Sequence, residues 1–492
     1  MSRVVVIGAG LGGLGAALRL QGVGHEVTVL EARAKPGGRA YHLQDDGYTW
    51  DTGPSLITMP WVLEETFAAG GMDLHSEVEL LELDPFYRIA WAGEERTLDF
   101  TADRDRMREQ LARFDSRDAA AFDGFLEALR PIYEQGILDA GRRPFLRARD
   151  LAAFTPAMVR LGAAQPLSTM VARHFANPRV REAFSFHSLF IGGNPFRVPA
   201  IYAALVYLQF LDRVWYARGG VYALIEAMAR ALDVRCDARV ERVETSGGRV
   251  TGVLTRGGER LAADVVVSNA DVLRTHELLG RRPPRRRLRA TMSCFLLYLG
   301  TDRVFDQLLH HTLLVGSGYR RFIGDVTRRG RLAPTFSTYL HAPARTEPAM
   351  APPGGDSIAA LLPVPNLRRG RVDWARESDH VRDALMADFE STFALHGLAD
   401  SVRVEHRMTP VDFERDLGAL HGNAFAVEPV LHQSAWLRQH NRHRDVGGLY
   451  FVGGGTHPGA GIPGVLLGAE VTTGLIAADS HREVRRAPAA HA

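Results

Sequence analysis

The feature that most constrains this chain lies at its start. Arg3 to Ile7 is a short β-branched run that stops at Gly8-Ala9-Gly10-Leu11-Gly12-Gly13. Leu14 to Leu20 then has helical character, and Glu26 to Leu30 reads as a second strand that ends at Glu31. Strand, glycine loop, helix and strand make a βαβ unit, which demands a parallel sheet. Gly8, Gly10 and Gly13 have dinucleotide spacing. The first glycine permits a tight turn, the second admits a pyrophosphate against the backbone, and the third lets helix and strand pack closely. The helix start adds unpaired N–H groups and about half a positive charge. Glu31 is placed to accept hydrogen bonds from ribose hydroxyls. Any one of these signals is weak; their coincidence predicts a dinucleotide site.

At 492 residues the chain calls for more than one structural unit, and 46% hydrophobic with 24% charged residues is ordinary globular composition. A net charge of +2 gives no argument for nucleic acid. Lys35 is the single lysine among many arginines, a compositional bias and not a recognition device. Cys236 and Cys294 make no metal-ligand spacing, and a reduced, cytosolic compartment is expected. The N-terminus opens on a strand pattern with no signal peptide, and the longest apolar stretch, Val198 to Leu211, is too short to cross a bilayer. A soluble protein, or one resting on a membrane surface, is the expectation.

Residues 101–217 read as mainly helical, with periodicity in Phe122 to Ile132 and Ile201 to Leu211, and Gly219 to Leu232 as a further helix. Strands follow at Arg239 to Glu244, Val250 to Leu254 and Asp264 to Ser268. Residues 281–435 are mixed, with strands at Ser293 to Leu299 and Phe336 to His341 and a helix at His380 to Leu395. Leu449 to Val452 is a last buried strand before a glycine-dense loop and a helix from Gly464 to Ala478. The expected class is α/β, with a three-layer Rossmann-type nucleotide domain built from 1–100, 218–280 and 436–485. A helical, membrane-contacting region at 101–217 and a mixed-sheet substrate domain at 281–435 are inserted into it.

Two further segments narrow the cofactor. Lys35-Pro36-Gly37-Gly38-Arg39 follows Glu31 within one short loop, where paired glycines let the backbone lie against a ligand and Arg39 can reach a phosphate or flavin. Gly453-Gly454-Gly455-Thr456-His457-Pro458-Gly459-Ala460-Gly461-Ile462-Pro463-Gly464 offers a second helix start for anionic oxygens. Gly459, Gly461 and Gly464 formally repeat the fingerprint, but no strand with an acidic end follows, so one dinucleotide and no NAD(P)H site is expected. The first segment resembles the flavin amine oxidase and carotenoid desaturase superfamily. The second, with Asp51-Thr52-Gly53-Pro54-Ser55, Pro144 to Asp150, Ala183 to Leu189, Gly192 to Phe196, Ser268 to Val272, Tyr339 to Pro343 and Phe425 to Trp436, resembles bacterial-type phytoene desaturases along almost the whole chain.

That resemblance implies FAD held by Gly8, Gly10, Gly13, Glu31, Gly38 and Arg39, with Val240 near the adenine. Gly453, Gly454, Gly461 and Ile462 would lie at the ribityl and isoalloxazine end. It also implies desaturation of a long linear isoprenoid, phytoene towards neurosporene or lycopene. A carotenoid isomerase, an amine oxidase, a desaturase of hydroxyneurosporene- or diapophytoene-like substrates, and a non-enzymatic prenyl-binding escort are the alternatives. Desaturation removes a hydride and a proton; the flavin takes the hydride, and a carboxylate or water takes the proton. Asp150, beside Arg147 and Arg149, is the candidate acceptor, with an N-cap of a helix from Leu151 as its other reading. His187, His341 and His457 are weaker candidate bases. His310 and His311 make no ligand pattern, and no metal is expected. Exposing a hydrocarbon of about forty carbons to water costs on the order of 30 kcal/mol, so the substrate is drawn from a bilayer. Leu151 to Leu161, Ile201 to Trp215 and Arg281 to Arg289 are the candidate contacts, which makes the protein cytoplasmic and peripherally membrane-bound. Quinone or oxygen would reoxidise the flavin.

Overall fold

The structure is a computed structural model and describes residues 1–281 and 288–486. Its organising layer is a five-stranded parallel sheet around β1 (Arg3–Ile7). β1 pairs on one side with β2 (Glu26–Leu30), which pairs with Asp233–Arg235. On the other side β1 pairs with Val265–Ser268, which pairs with Leu449–Phe451. Strands buried on both faces read as continuous apolar runs, and these divide by alternation. Val4, Val6, Val27, Val29, Val265 and Val267 point into the main core with α1 (Leu11–Gly22) and the C-terminal helix Ile462–Arg486. Val5, Ile7, Leu30, Val266, Leu449 and Phe451 point the other way, against Val243, Val250 and Val253 of a three-stranded antiparallel sheet. Helix, parallel sheet and small sheet are the three layers. Full burial of each aliphatic side chain is worth roughly 1.5–3 kcal/mol.

A seven-stranded sheet forms the second body, in the order Val402–Met408, Ser293–Thr301, Asp356–Val364, Ser337–His341, His311–Val315, Tyr87–Trp91, Thr97–Phe100. The boundary expected at residue 100 therefore moves. Residues 87–100 join this sheet through parallel pairing of Tyr87–Trp91 with His311–Val315, a partner more than two hundred residues away. The chain from 101 to 217 is mainly helical, with Ser116–Tyr133, Ala148–Arg160 and Ala204–Asp212 among its helices. The helix expected from His380 begins earlier, at Trp374, because Asp373 accepts a hydrogen bond from Ala375 N–H and caps it there.

Among the described residues one helix, over Ile462–Arg482, is long and apolar enough to cross a bilayer, with mean hydropathy 1.3. This corrects the expectation that Val198 to Leu211 is the longest apolar stretch. Half of that helix window is buried within the protein, and Leu466, Leu467, Ala469 and Ile476 belong to the main core. Its apolarity is explained by packing on α1.

Candidate functional site

The two glycine turns, more than four hundred residues apart in sequence, meet at one point. Gly8 has φ +95° and closes the turn after β1, with its N–H donated to Leu30 O. A Cβ on Gly13 would stand 2.1 Å from Gly8 O, and a Cβ on Gly12 would stand 3.1 Å from Gly453 N and Cα. Asn269, at the end of the Val265–Ser268 strand, sits between the turns and donates from Nδ2 to Gly8 O at 3.3 Å. Glu31 is buried and accepts Ala9 N–H at 2.8 Å and Arg33 N–H at 3.0 Å. It ties the end of β2 to the loop and still faces the cavity.

Two cations close the site without an anion of their own. The Arg39 guanidinium donates to Asn423 O and Oδ1, both at 3.2 Å, while its Nε is buried without a partner. Burial pushes its pKa down, against the pull of Asp271. Arg438 is 4% exposed and donates from Nη2 to Gly454 O, with Nε and Nη1 buried and unpartnered. A buried cation with unmet N–H groups is costly unless an anion arrives. Both arginines line the same cavity, so a diphosphate-bearing cofactor fits what the site lacks.

That cavity, about 820 Å³, is continuous from the nucleotide loop into the space beneath the seven-stranded sheet. Gly8, Gly10, Glu31, Gly38, Arg39, Val240, Gly453, Gly454, Gly461 and Ile462 all line it. Gly13 does not; its role is the close packing of α1 on Gly8. Farther in, the walls turn apolar with Phe190, Leu205, Leu208, Leu313, Met292 and Leu296.

The structure places the expected proton acceptor at a helix start. Asp150, Arg147 and Arg149 are absent from the residues that line the cavity. The helix starts at Ala148, and Asp150 sits in its first turn, where its Oδ2 accepts Arg147 N–H at 2.8 Å and Leu146 N–H at 3.1 Å. Arg149 Nε lies 4.0 Å from the other oxygen. The carboxylate satisfies orphan N–H groups at a helix start, as in a capping box. His187 and His457 are structural as well: Nε2 of His187 is 2.6 Å from Tyr87 Oη, and Nε2 of His457 is 2.8 Å from Ala140 O. Burial lowers them to about 3 and about 4.

A different carboxylate stands on the cavity wall. Asp51 ends the Tyr48–Asp51 strand, is buried, and accepts Tyr216 O–H at 2.8 Å and Val221 N–H at 2.9 Å. Desolvation raises its pKa to about 7, with those two hydrogen bonds pulling the other way. Gly220 lies so close that a Cβ there would meet Asp51 Oδ1 at 2.9 Å. The only signal in the sequence was the motif Asp51-Thr52-Gly53, which names no role. His310, His311 and His341 also come together, against the expectation that the histidine pair makes no ligand pattern. The third member, His341, arrives by strand pairing and not by sequence spacing. Burial holds all three below the ordinary histidine range.

Comparison with known proteins agrees with this geometry. The family described as flavin containing amine oxidoreductase matches residues 11–478. A phytoene desaturase (lycopene-forming) from Pantoea ananas is 42% identical, covering 97% of this chain and 100% of its own. A phytoene desaturase (neurosporene-forming) from Cereibacter sphaeroides is 36% identical, covering 99% and 96%. Wild-type putrescine oxidase bound to putrescine shares the fold at TM-score 0.61 and 16% identity, over 98% of this chain and 99% of that one. With both glycine turns and both unpaired arginines facing one cavity, the chain belongs to the flavin-containing amine oxidoreductase family and is an FAD-dependent oxidoreductase.

Proposed function

We propose that the protein desaturates phytoene, introducing carbon–carbon double bonds on the way to neurosporene or lycopene. The observation that carries this reading is the single cavity that joins the dinucleotide loop to an apolar chamber. Relatives named as lycopene-forming and neurosporene-forming phytoene desaturases, at 42% and 36% identity over nearly the whole chain, support it.

Each desaturation breaks two C–H bonds on adjacent carbons and forms one C=C bond. Bound FAD supplies the two-electron hydride sink that side chains lack. Gly8, Gly10, Gly12 and Gly453 give it backbone to lie against, and Arg39 and Arg438 supply positive charge. The apolar walls at Leu205, Leu208 and Leu313 align the polyene and exclude water. Asp51, the wall carboxylate that burial raises to about 7, accepts the proton directly or through one water. A quinone or dioxygen is the final electron acceptor this reading requires.

Substrate delivery follows from the helix Ala148–Arg160, none of whose residues is buried. Val159 is 65% exposed and Ala152 and Ala153 are exposed, with Arg149 and Arg160 beside them, while Phe154 and Met158 are half-buried against Phe145 and the main core. This is the composition of a helix lying in a membrane interface. Ile201 to Trp215 does not share the role: Ala204, Val206, Tyr207 and Leu208 are buried, so that stretch is core and cavity wall. Within Arg281 to Arg289, residues 282–287 lie outside the described residues.

The test is pigment analysis after expression in a phytoene-accumulating host. Lycopene or neurosporene is the expected product. Unchanged phytoene from protein with bound flavin rejects the function.

A further inference from the structure

Three histidines, of which His341 reaches the cavity wall and His310 and His311 lie behind it, make a cluster to which the proposed reaction gives no role. His310 precedes and His311 opens the His311–Val315 strand, and His341 closes the Ser337–His341 strand. In register His311 lies opposite His341, their rings stacked at 5.0 Å. His310 meets His311 edge-on at 4.4 Å, and its Nε2 is 3.1 Å from His341 Nε2. One ring nitrogen from each of the three lies within 4.8 Å of the others.

Two of the cluster's nitrogens, His311 Nε2 and His341 Nδ1, are buried without a hydrogen-bond partner. Burying a polar atom without a partner is costly, and the unmet His311 Nε2 leaves that ring a nitrogen free for a ligand. The outer nitrogens, by contrast, are held. His310 Nδ1 is 2.7 Å from Thr346 Oγ1, and His311 Nδ1 is 2.6 Å from Tyr339 Oη. Such outer hydrogen bonds are what fix the ring orientation of metal-ligating histidines.

We propose that His310, His311 and His341 form a binding site for a divalent first-row transition metal of the zinc or cobalt class. Imidazole nitrogens at 2.0–2.1 Å from a tetrahedral ion stand about 3.3 Å apart. The His310–His341 pair already has nearly that separation, and a nitrogen of His311 lies within 4.8 Å of both. An all-imidazole set selects zinc, cobalt, nickel or copper over magnesium and calcium. A buried carboxyl group is close by: the Tyr216 ring packs 4.4 Å from His310, and its hydroxyl is bonded to Asp51. The ion would clamp the two paired strands to the turn that carries Thr346.

The experiment uses untagged, FAD-loaded, full-length protein, stripped with a chelator and dialysed against Co²⁺ or Zn²⁺. Elemental analysis should find a single ion retained per chain, and Co²⁺ should add ligand-field bands to the red of the flavin absorption. His311→Asn and His341→Asn, with flavin spectra intact, should lose both signals. Tyr339→Phe, which frees the outer nitrogen of His311, should weaken binding roughly 10–100-fold and decides the matter if the histidine variants fail to fold. Cobalt retained equally by folded histidine variants, or by Tyr339→Phe at wild-type affinity, overturns the site. So does wild-type protein that retains none.

Discussion

Asp51 carries two opposed effects on one side chain. Its pKa rises from 3.8 to about 7 on folding, so the folded state holds the proton more tightly than the unfolded chain does. Stability is therefore greatest below pH 4 as far as this group is concerned, and is lost as pH rises towards 7. A shift of that size corresponds to roughly 4 kcal/mol, an order of magnitude. Catalysis runs the other way, because only the ionised carboxylate accepts a proton. Turnover should rise with pH through about 7. Asp51→Asn should lower turnover about 100-fold or more, flatten that pH profile, and leave chemical stability at pH 8 equal to or above wild type. Steady-state rates and urea melts across pH check all three; an unchanged profile removes Asp51 from the chemistry. At the nucleotide turn the expectation is simpler. Gly13→Ala places a methyl 2.1 Å from Gly8 O, a clash that backbone must relieve. The variant should purify with a sharply reduced flavin-to-protein absorbance ratio, and full flavin content would show that the turn yields.

Among the elements, what the sequence displays depends on how local the cause is. β1, α1 and β2 were legible because apolar alternation, glycine spacing and the acidic strand end all lie within thirty residues. Glu31 and Arg39 were placed for the same reason. Tyr87–Trp91 and Thr97–Phe100 were misassigned because their sheet is decided by a partner at His311–Val315, and no local pattern records that. Distance also hid the histidine cluster, which strand register creates, and the raised pKa of Asp51, which needs Tyr216 and Gly220 brought against it. The helix Ala148–Arg160 shows the opposite error. A motif resemblance suggested chemistry at Asp150, where local hydrogen bonding explains the residue completely. Asp150→Ala should cost about 1 kcal/mol of stability through the lost cap, with turnover on detergent-solubilised substrate unchanged. A fall in turnover without a fall in melting temperature would return Asp150 to the active site.

For the whole molecule, the proposed substrate route makes surface and cavity one system. Ile137, Gly141 and Leu189 line the cavity on its helical side, and the first two lead along the chain to the helix Ala148–Arg160. Val159→Asp with Ala152→Asp, both at exposed positions of the helix, should reduce co-flotation with vesicles of anionic phospholipid several-fold. Conversion of vesicle-borne phytoene should fall by a similar factor, and flavin content should stay the same. Equal flotation would move the contact to another face. The parallel sheet has a consequence for synthesis. Leu449–Phe451 is the last strand to leave the ribosome, and until it docks beside Val265–Ser268 the growing polypeptide holds only half of the cofactor's cradle. Flavin capture is therefore a late, post-translational event, and a chain stalled before Leu449 would emerge colourless however well its earlier segments had folded.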